Sequence, residues 1–248
     1  MLGVLNSMRK RTLIAVAVAV FLLITFVCLR QISDSRTFQF FGVLVQRVNT
    51  AEKVVALTFD DGPTAAGTDQ ILTILAEENV KATFFVIGAE LEKDLSQGKK
   101  IVAAGHELGN HSYSHSRMIL VTPSFVKHEI ETTDRLIRDA GYQGQILFRP
   151  PYGKKLVALP YYLSKTDRKS ITWDVEPESY PDIGADADKI VTHVLSNTRP
   201  GSIVLLHVMY PNRRESMKAV KQIIQGLKAQ GYSFKTTSEL IALSGTGS

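Results

Sequence analysis

Seven short β-prone runs, VVALTF, ATFFVIG, ELGNH, ILFRP, SITWDV, SIVLLH and YSFKT, alternate with helical stretches from Val54 onward. That order leaves few folds open. Strands separated by helices pair in parallel through right-handed crossovers, which gives a (β/α) barrel or an open doubly wound sheet. The clearest helical stretch, TPSFVKHEIETTDRLIRDAG, has Thr122 as N-cap, Pro123 at the first helical position and Gly141 as its stop. A second, ESMKAVKQIIQGLKAQG, keeps apolar positions at helical spacing and ends at Gly231. With 248 residues, 44% hydrophobic and 21% charged, the chain has material for one large core and a short appendage.

The appendage is N-terminal. Residues 12–29, TLIAVAVAVFLLITFVCL, form an uncharged run of eighteen, preceded by Arg9, Lys10 and Arg11 and followed by Arg30. A membrane-spanning helix needs about 17–25 such residues. No small-x-small cleavage site lies at 27–31, and Val27 before Cys28 does not suit a lipoprotein signal. The expectation is an uncleaved signal-anchor at 12–30, with residues 1–11 cytoplasmic and the rest of the chain outside the cell membrane. A cleaved signal that releases a secreted protein is the competing reading. Residues 31–52 read as a linker with an accessory strand in FQFFGVLVQRV, and 53–248 as the main domain. The single cysteine, Cys28, excludes an intramolecular disulfide. The net charge of +5 comes from scattered basic residues, which argues against nucleic acid and suits an anionic envelope surface; no protein partner is implied.

Barrel enzymes carry their chemistry at the C-terminal ends of the strands, and five of the seven runs here end in unusual polar groups. Asp60 and Asp61 follow the first. Adjacent carboxylates after an apolar strand repel and lose hydration unless a cation or basic partner offsets them, although Asp-Gly-Pro is also turn chemistry. The third ends in Asn110, His111, Ser112, Tyr113, Ser114 and His115. Histidines four apart share a face if the segment turns helically, which lets two neutral imidazoles reach one metal ion. After the fourth come Arg149, Pro150, Pro151, Tyr152 and Gly153, a loop stiffened by proline that either positions the guanidinium or simply closes. The fifth carries Trp173, Asp174, Val175, Glu176, Pro177, Glu178, Ser179 and Tyr180. His207 ends the sixth, either as a site residue or as a satisfied core histidine. His106, His128 and His193 lack such neighbours and read as ordinary. Together Asp61, His111 and His115 make a two-nitrogen, one-oxygen set with room for water, the pattern of a catalytic zinc, and Asp60 and His207 stand ready as base and acid.

TFDDGP (58–63), NHSYSH (110–115), RPPYG (149–153), WDVEPESY (173–180) and LLH (205–207) resemble the five ordered motifs of the polysaccharide deacetylases, the NodB-homology domain of carbohydrate esterase family 4. The resemblance covers residues 53–243. It implies a distorted (β/α) barrel of about seven parallel strands and removal of N-acetyl groups from an N-acetylated polysaccharide, such as peptidoglycan or a chitin-like glycan. It also implies a divalent metal on Asp61, His111 and His115, usually Zn2+, with Co2+, Mn2+ or Ni2+ as substitutes. Asp60 would be the base, His207 the acid, and Arg149 the partner that keeps Asp60 ionised. The Tyr152 backbone N–H would meet the oxyanion, with Pro151, Trp173 and Tyr180 beside the substrate. One motif departs from the pattern: Ser179 stands before Tyr180 where the family has the aspartate that tunes the acid histidine, so Asp174 or Glu176 is expected to take that place. Rival readings are an O-acetylated xylan or non-sugar amide as substrate, and an inactive glycan-binding module.

Overall fold

The computed structural model describes residues 2–245; Met1 and the last three residues of the expected main domain lie outside them. The chain opens with α1 (Leu2–Asp34), then β1 (Leu44–Val45), β2 (Val54–Asp60), α2 (Ala65–Glu77), β3 (Thr83–Val86), α3 (Gly88–Lys93), α4 (Leu95–Ala103) and β4 (Glu107–Asn110). It continues with α5 (Pro123–Asp139), α6 (Ala158–Lys165), β5 (Ser170–Ile171), α7 (Pro181–Gly184), α8 (Ala187–Asn197), β6 (Ile203–His207), α9 (Arg214–Ala229), β7 (Ser233–Phe234) and α10 (Thr237–Ala242).

All pairings between strands are parallel. β2 lies between β3 and β6, β4 flanks β3, and β7 pairs with the first residues of β2. The expected fourth strand is reduced to single bridges through Phe148, which joins Asn110 on one side and Ser170 on the other. Two prolines follow Arg149, and proline has no N–H to continue a ladder. A bridge from Val175 to Val204 then returns the sheet to β6, so the ring closes as a distorted barrel. Of the apolar run at 38–48, only Leu44 and Val45 form a strand, paired with β5.

Alternation along the strands decides what faces the site. Val55, Leu57 and Phe59 of β2 pack outward with Ile71, Leu75, Val220 and Ile224 of the surrounding helices. Val54 and Ala56 point inward with Ile203, Leu205, Phe85 and Trp173. The same period turns Thr58 and Asp60 into the barrel, and on β6 it turns His207 there too. α5 begins as the sequence implies: Thr122 accepts from the Phe125 N–H at 3.2 Å, and Gly141, at φ +94°, follows the last turn.

α1 is the one helix among the described residues long and apolar enough to cross a membrane, over Met8–Asp34. It runs four residues past the expected end of the span. There the domain takes hold of it: Lys154 pairs with Asp34, and the Lys155 N–H and ammonium reach the carbonyls of Ser33 and Ser35.

Candidate active site

Asp60 and His207 end adjacent strands in register. Asp60 is 2% exposed and accepts a 2.6 Å bond from Arg149 Nη1. Arg149 is fully buried and also donates to Thr58 Oγ1 (2.8 Å) and the Thr172 carbonyl (3.2 Å), with its guanidinium 4.0 Å from the Phe85 ring centre. Burial pushes the Asp60 carboxyl above its ordinary value, against the downward pull of Arg149. Charge pairing alone, the basis of the sequence expectation, points the other way; loss of hydration outweighs it. Arg149→Met leaves this carboxylate buried without its cation, which is expected to destabilise the fold by about 3 kcal/mol at neutral pH. The deficit should shrink as pH falls and Asp60 takes up a proton. Urea unfolding at two pH values measures both effects.

Asp61 Oδ1 lies 3.2 Å from His115 Nε2 and 3.9 Å from His111 Nε2, and one ligand atom from each of the three fits within 4.8 Å. That oxygen is buried and has no hydrogen-bond partner among the described residues. His111 Nδ1 sits 2.8 Å from the Arg149 carbonyl, so it carries the proton and leaves the Nε2 lone pair facing Asp61. Burial, then the nearby His115, lowers the His111 pKa to about 3, which keeps the ring neutral. A bare carboxylate oxygen facing two imidazole nitrogens fits a divalent metal ion.

The two histidines do not converge through a helical turn, as their spacing suggests. They converge through a loop in which Ser112 (φ 66°) and His115 (φ 58°) are left-handed, as are Asp61 (φ 73°) and Tyr152 (φ 59°) nearby. Such backbone is costly for residues with a Cβ and persists only where its surroundings enforce it. Here Ser112 N–H donates to Asn110 Oδ1 (2.8 Å), and Tyr113 and Ser114 N–H donate to Glu129 Oε2 at 3.0 and 2.8 Å. Glu129, absent from the sequence reading, is a buried acid in the apolar stripe of α5 beside Val126, Ile130 and Thr133. An acid in such a stripe marks a partner that sequence alone does not name.

His207 pairs with Glu178, not with Asp174 or Glu176. Glu178 Oε2 meets His207 Nδ1, while Oε1 accepts the His207 backbone N–H (3.0 Å) and the Ser216 hydroxyl. A 3₁₀ turn at Pro177–Ser179 carries Glu178 back toward the end of β6. Asp174 instead caps the start of β6 through Ser202 Oγ (2.8 Å) and Ile203 N–H (2.9 Å), and Glu176 accepts from Trp173 Nε1 (3.1 Å) and Arg36 (2.9 Å). Burial disfavours the imidazolium, but the hydrogen bond and charge of Glu178, helped by Asp60 and Asp61, win and raise the His207 pKa to about 9.

Tyr152 and Trp173 line the cleft above these groups. The exposed Tyr152 ring lies 4.6 Å from that of His115, and Pro151 is buried beneath. Tyr180 is not among the lining residues; its ring turns to His193, 5.3 Å away. The linker supplies a wall instead: Arg36 stacks 4.8 Å over Trp173 while it holds Glu176. The other histidines are ordinary as expected: His106 is buried with Nδ1 accepting from Ala82 N–H, and His128 and His193 lie on α5 and α8.

Barrel, cleft and strand-end acids together have the layout of an α/β-barrel enzyme. The family model for polysaccharide deacetylase matches residues 47–171. A peptidoglycan-N-acetylglucosamine deacetylase of Bacillus cereus is 37% identical over 198 residues, 79% of this chain and 70% of that protein. The crystal structure of the Bc1960 peptidoglycan N-acetylglucosamine deacetylase, in complex with 4-naphthalen-1-yl-N-oxidanyl-benzamide, is similar with TM-score 0.75 and 33% identity over 79% of this chain and 92% of that one. A CE4 family pseudoenzyme from Bacillus anthracis is similar with TM-score 0.70 and 29% identity, over 79% of this chain and 68% of that one. The chain belongs to the polysaccharide deacetylase family, hydrolases of carbon–nitrogen bonds other than peptide bonds.

Proposed function

We propose that this protein is a membrane-anchored, metal-dependent deacetylase that removes N-acetyl groups from an extracytoplasmic glycan, with peptidoglycan as the first candidate. The observation that carries the metal reading is the unpartnered Asp61 oxygen facing Nε2 of His111 and His115. When bound there, the metal supplies Lewis-acid polarisation of the acetamide carbonyl and of water. Asp60, fixed by Arg149, takes the proton of the attacking water. The Tyr152 N–H donates to the developing oxyanion. His207, kept protonated by Glu178, delivers a proton to the departing sugar amine, without which the intermediate would expel water again. The similarity to a pseudoenzyme raises an inactive binding module as a second reading. Asp60, Asp61, His111, His115 and His207 are all present here, which favours turnover. In domain terms, residues 1–11 are cytoplasmic, 12–30 span the membrane, and 53–248 form the catalytic domain outside it.

The test is acetate release by the full chain in detergent, on peptidoglycan, chitin oligomers and acetylated xylan, with zinc and with chelator. Release from the N-acetylated polymers that stops on chelation and returns with zinc is expected. Release from xylan alone would overturn the substrate class, and no release despite one metal per chain would favour the binding module.

A further inference from the structure

The catalytic domain carries a row of exposed apolar side chains that starts at the last turns of α1. Phe26 and Leu29 of α1 share a groove with Ile119, Leu120 and Leu156 of the domain. Leu120 is 91% exposed. The row continues to Val157 and, one helical turn on along α6, to Tyr161, both about half exposed. Tyr161 packs edge-on against Phe41 (5.5 Å), and Phe38 packs against Phe40 (5.8 Å). Gln39 is buried and donates to the Phe41 carbonyl at 2.7 Å, while Phe38, Phe40 and Phe41 beside it are exposed. Soluble surfaces scatter such residues singly; a continuous set marks an interface.

The depth of the groove identifies the partner. At 1.5 Å per residue, Phe26 lies about 12 Å back along the helix from Asp34. On the anchored reading of the preceding section, on which this inference rests, Phe26 and Leu29 are inside the span. Whatever packs beside them is at bilayer depth. Arg30, Arg117 and Lys154 line the same groove, where long basic side chains can lie along apolar surface and keep their charges among lipid headgroups. We infer that the domain is seated in the outer leaflet by a collar made of the Leu120 loop, the start of α6 and the aromatic segment at 38–41, so that lipid covers this face.

The full chain in lipid nanodiscs tests this. In a Cys28→Ser background, Phe40→Cys, Leu120→Cys and Tyr161→Cys each carry an environment-sensitive fluorophore, with Thr73→Cys on α2, across the barrel from α6 in the ring order, as the reference. Acetate release from soluble chitin oligomers at the wild-type rate shows that each labelled variant is folded. Labels at 40, 120 and 161 are expected to lose emission to nitroxide-bearing lipids and to be shielded from aqueous iodide, and the label at 73 to do the reverse. Labels at 40, 120 and 161 that respond like the one at 73 would overturn the collar. So would iodide shielding that depends on two chains sharing a disc, because a second copy would then cover the face. The native Cys28, labelled in the unmodified chain, separates the two levels: if it is quenched by lipid while position 120 is not, the collar alone fails, and if neither is quenched the anchor fails with it.

Discussion

Asp60→Asn is expected to lower acetate release at least about 100-fold, in line with the loss of a positioned general base. The amide keeps the volume of the carboxylate and can still accept from Arg149, but it cannot take a proton from water. Asp60 is not one of the three residues whose ligand atoms cluster, so one metal per chain should remain bound. Measuring kcat/KM and metal content on the same preparation decides the assignment. Metal lost in step with activity would make Asp60 a ligand and remove it as the base.

Glu178→Gln is expected to move the basic limb of the pH–rate profile down. On the proposed mechanism His207 acts as an acid only as imidazolium, and its pKa of about 9 keeps it charged at neutral pH. Activity in the parent should therefore fall as pH rises through about 9. Without the Glu178 charge the pKa relaxes toward the ordinary value of about 6.5, which at pH 8 leaves roughly thirty-fold less of the acid form. The same pairing acts on stability with the same sign: its contribution is fully present below about pH 6.5 and is lost as pH climbs through the folded value. Asp174→Asn and Glu176→Gln, whose carboxylates bond elsewhere, should leave the limb in place. A limb that moved with either of them and not with Glu178→Gln would reassign the partner of His207.

The strand ends were legible because a barrel puts its chemistry there and because apolar strands make each polar terminus conspicuous. Asp60, Asp61, His111, His115, Arg149 and His207 line up on that rule, and the fold brings them to one end of the barrel. Glu178 was not legible. Alternation and spacing name the acids near Trp173, but which of them reaches His207 depends on a three-residue turn whose direction the sequence does not state. The loop holding His115 is illegible for a related reason: a four-residue spacing is a helical cue, whereas this loop owes its shape to Glu129, fifteen or so residues downstream. The run ILFRP reads as a strand from its apolar residues, yet the prolines that position Arg149 also cost it a ladder. The grip of Lys154 and Lys155 on the end of α1 left no trace at all, because contacts between residues some 120 positions apart carry no local pattern.

That grip leaves the enzyme without a leash. A flexible tether of thirty residues would let a domain wander about 30 Å from its anchor point. Here Asp34 is still helical, and Arg36, two residues on, is already clamped to Glu176 and Trp173. With α1 in the membrane, the reach of the active site is set by the girth of the barrel alone, a radius of gyration of about 16 Å for a domain of this length. On the anchored reading proposed above, such an enzyme would work as a scraper held at fixed height: it would treat glycan in the thin layer against the membrane and leave more distant glycan untouched, and its output would scale with copies per unit of membrane area.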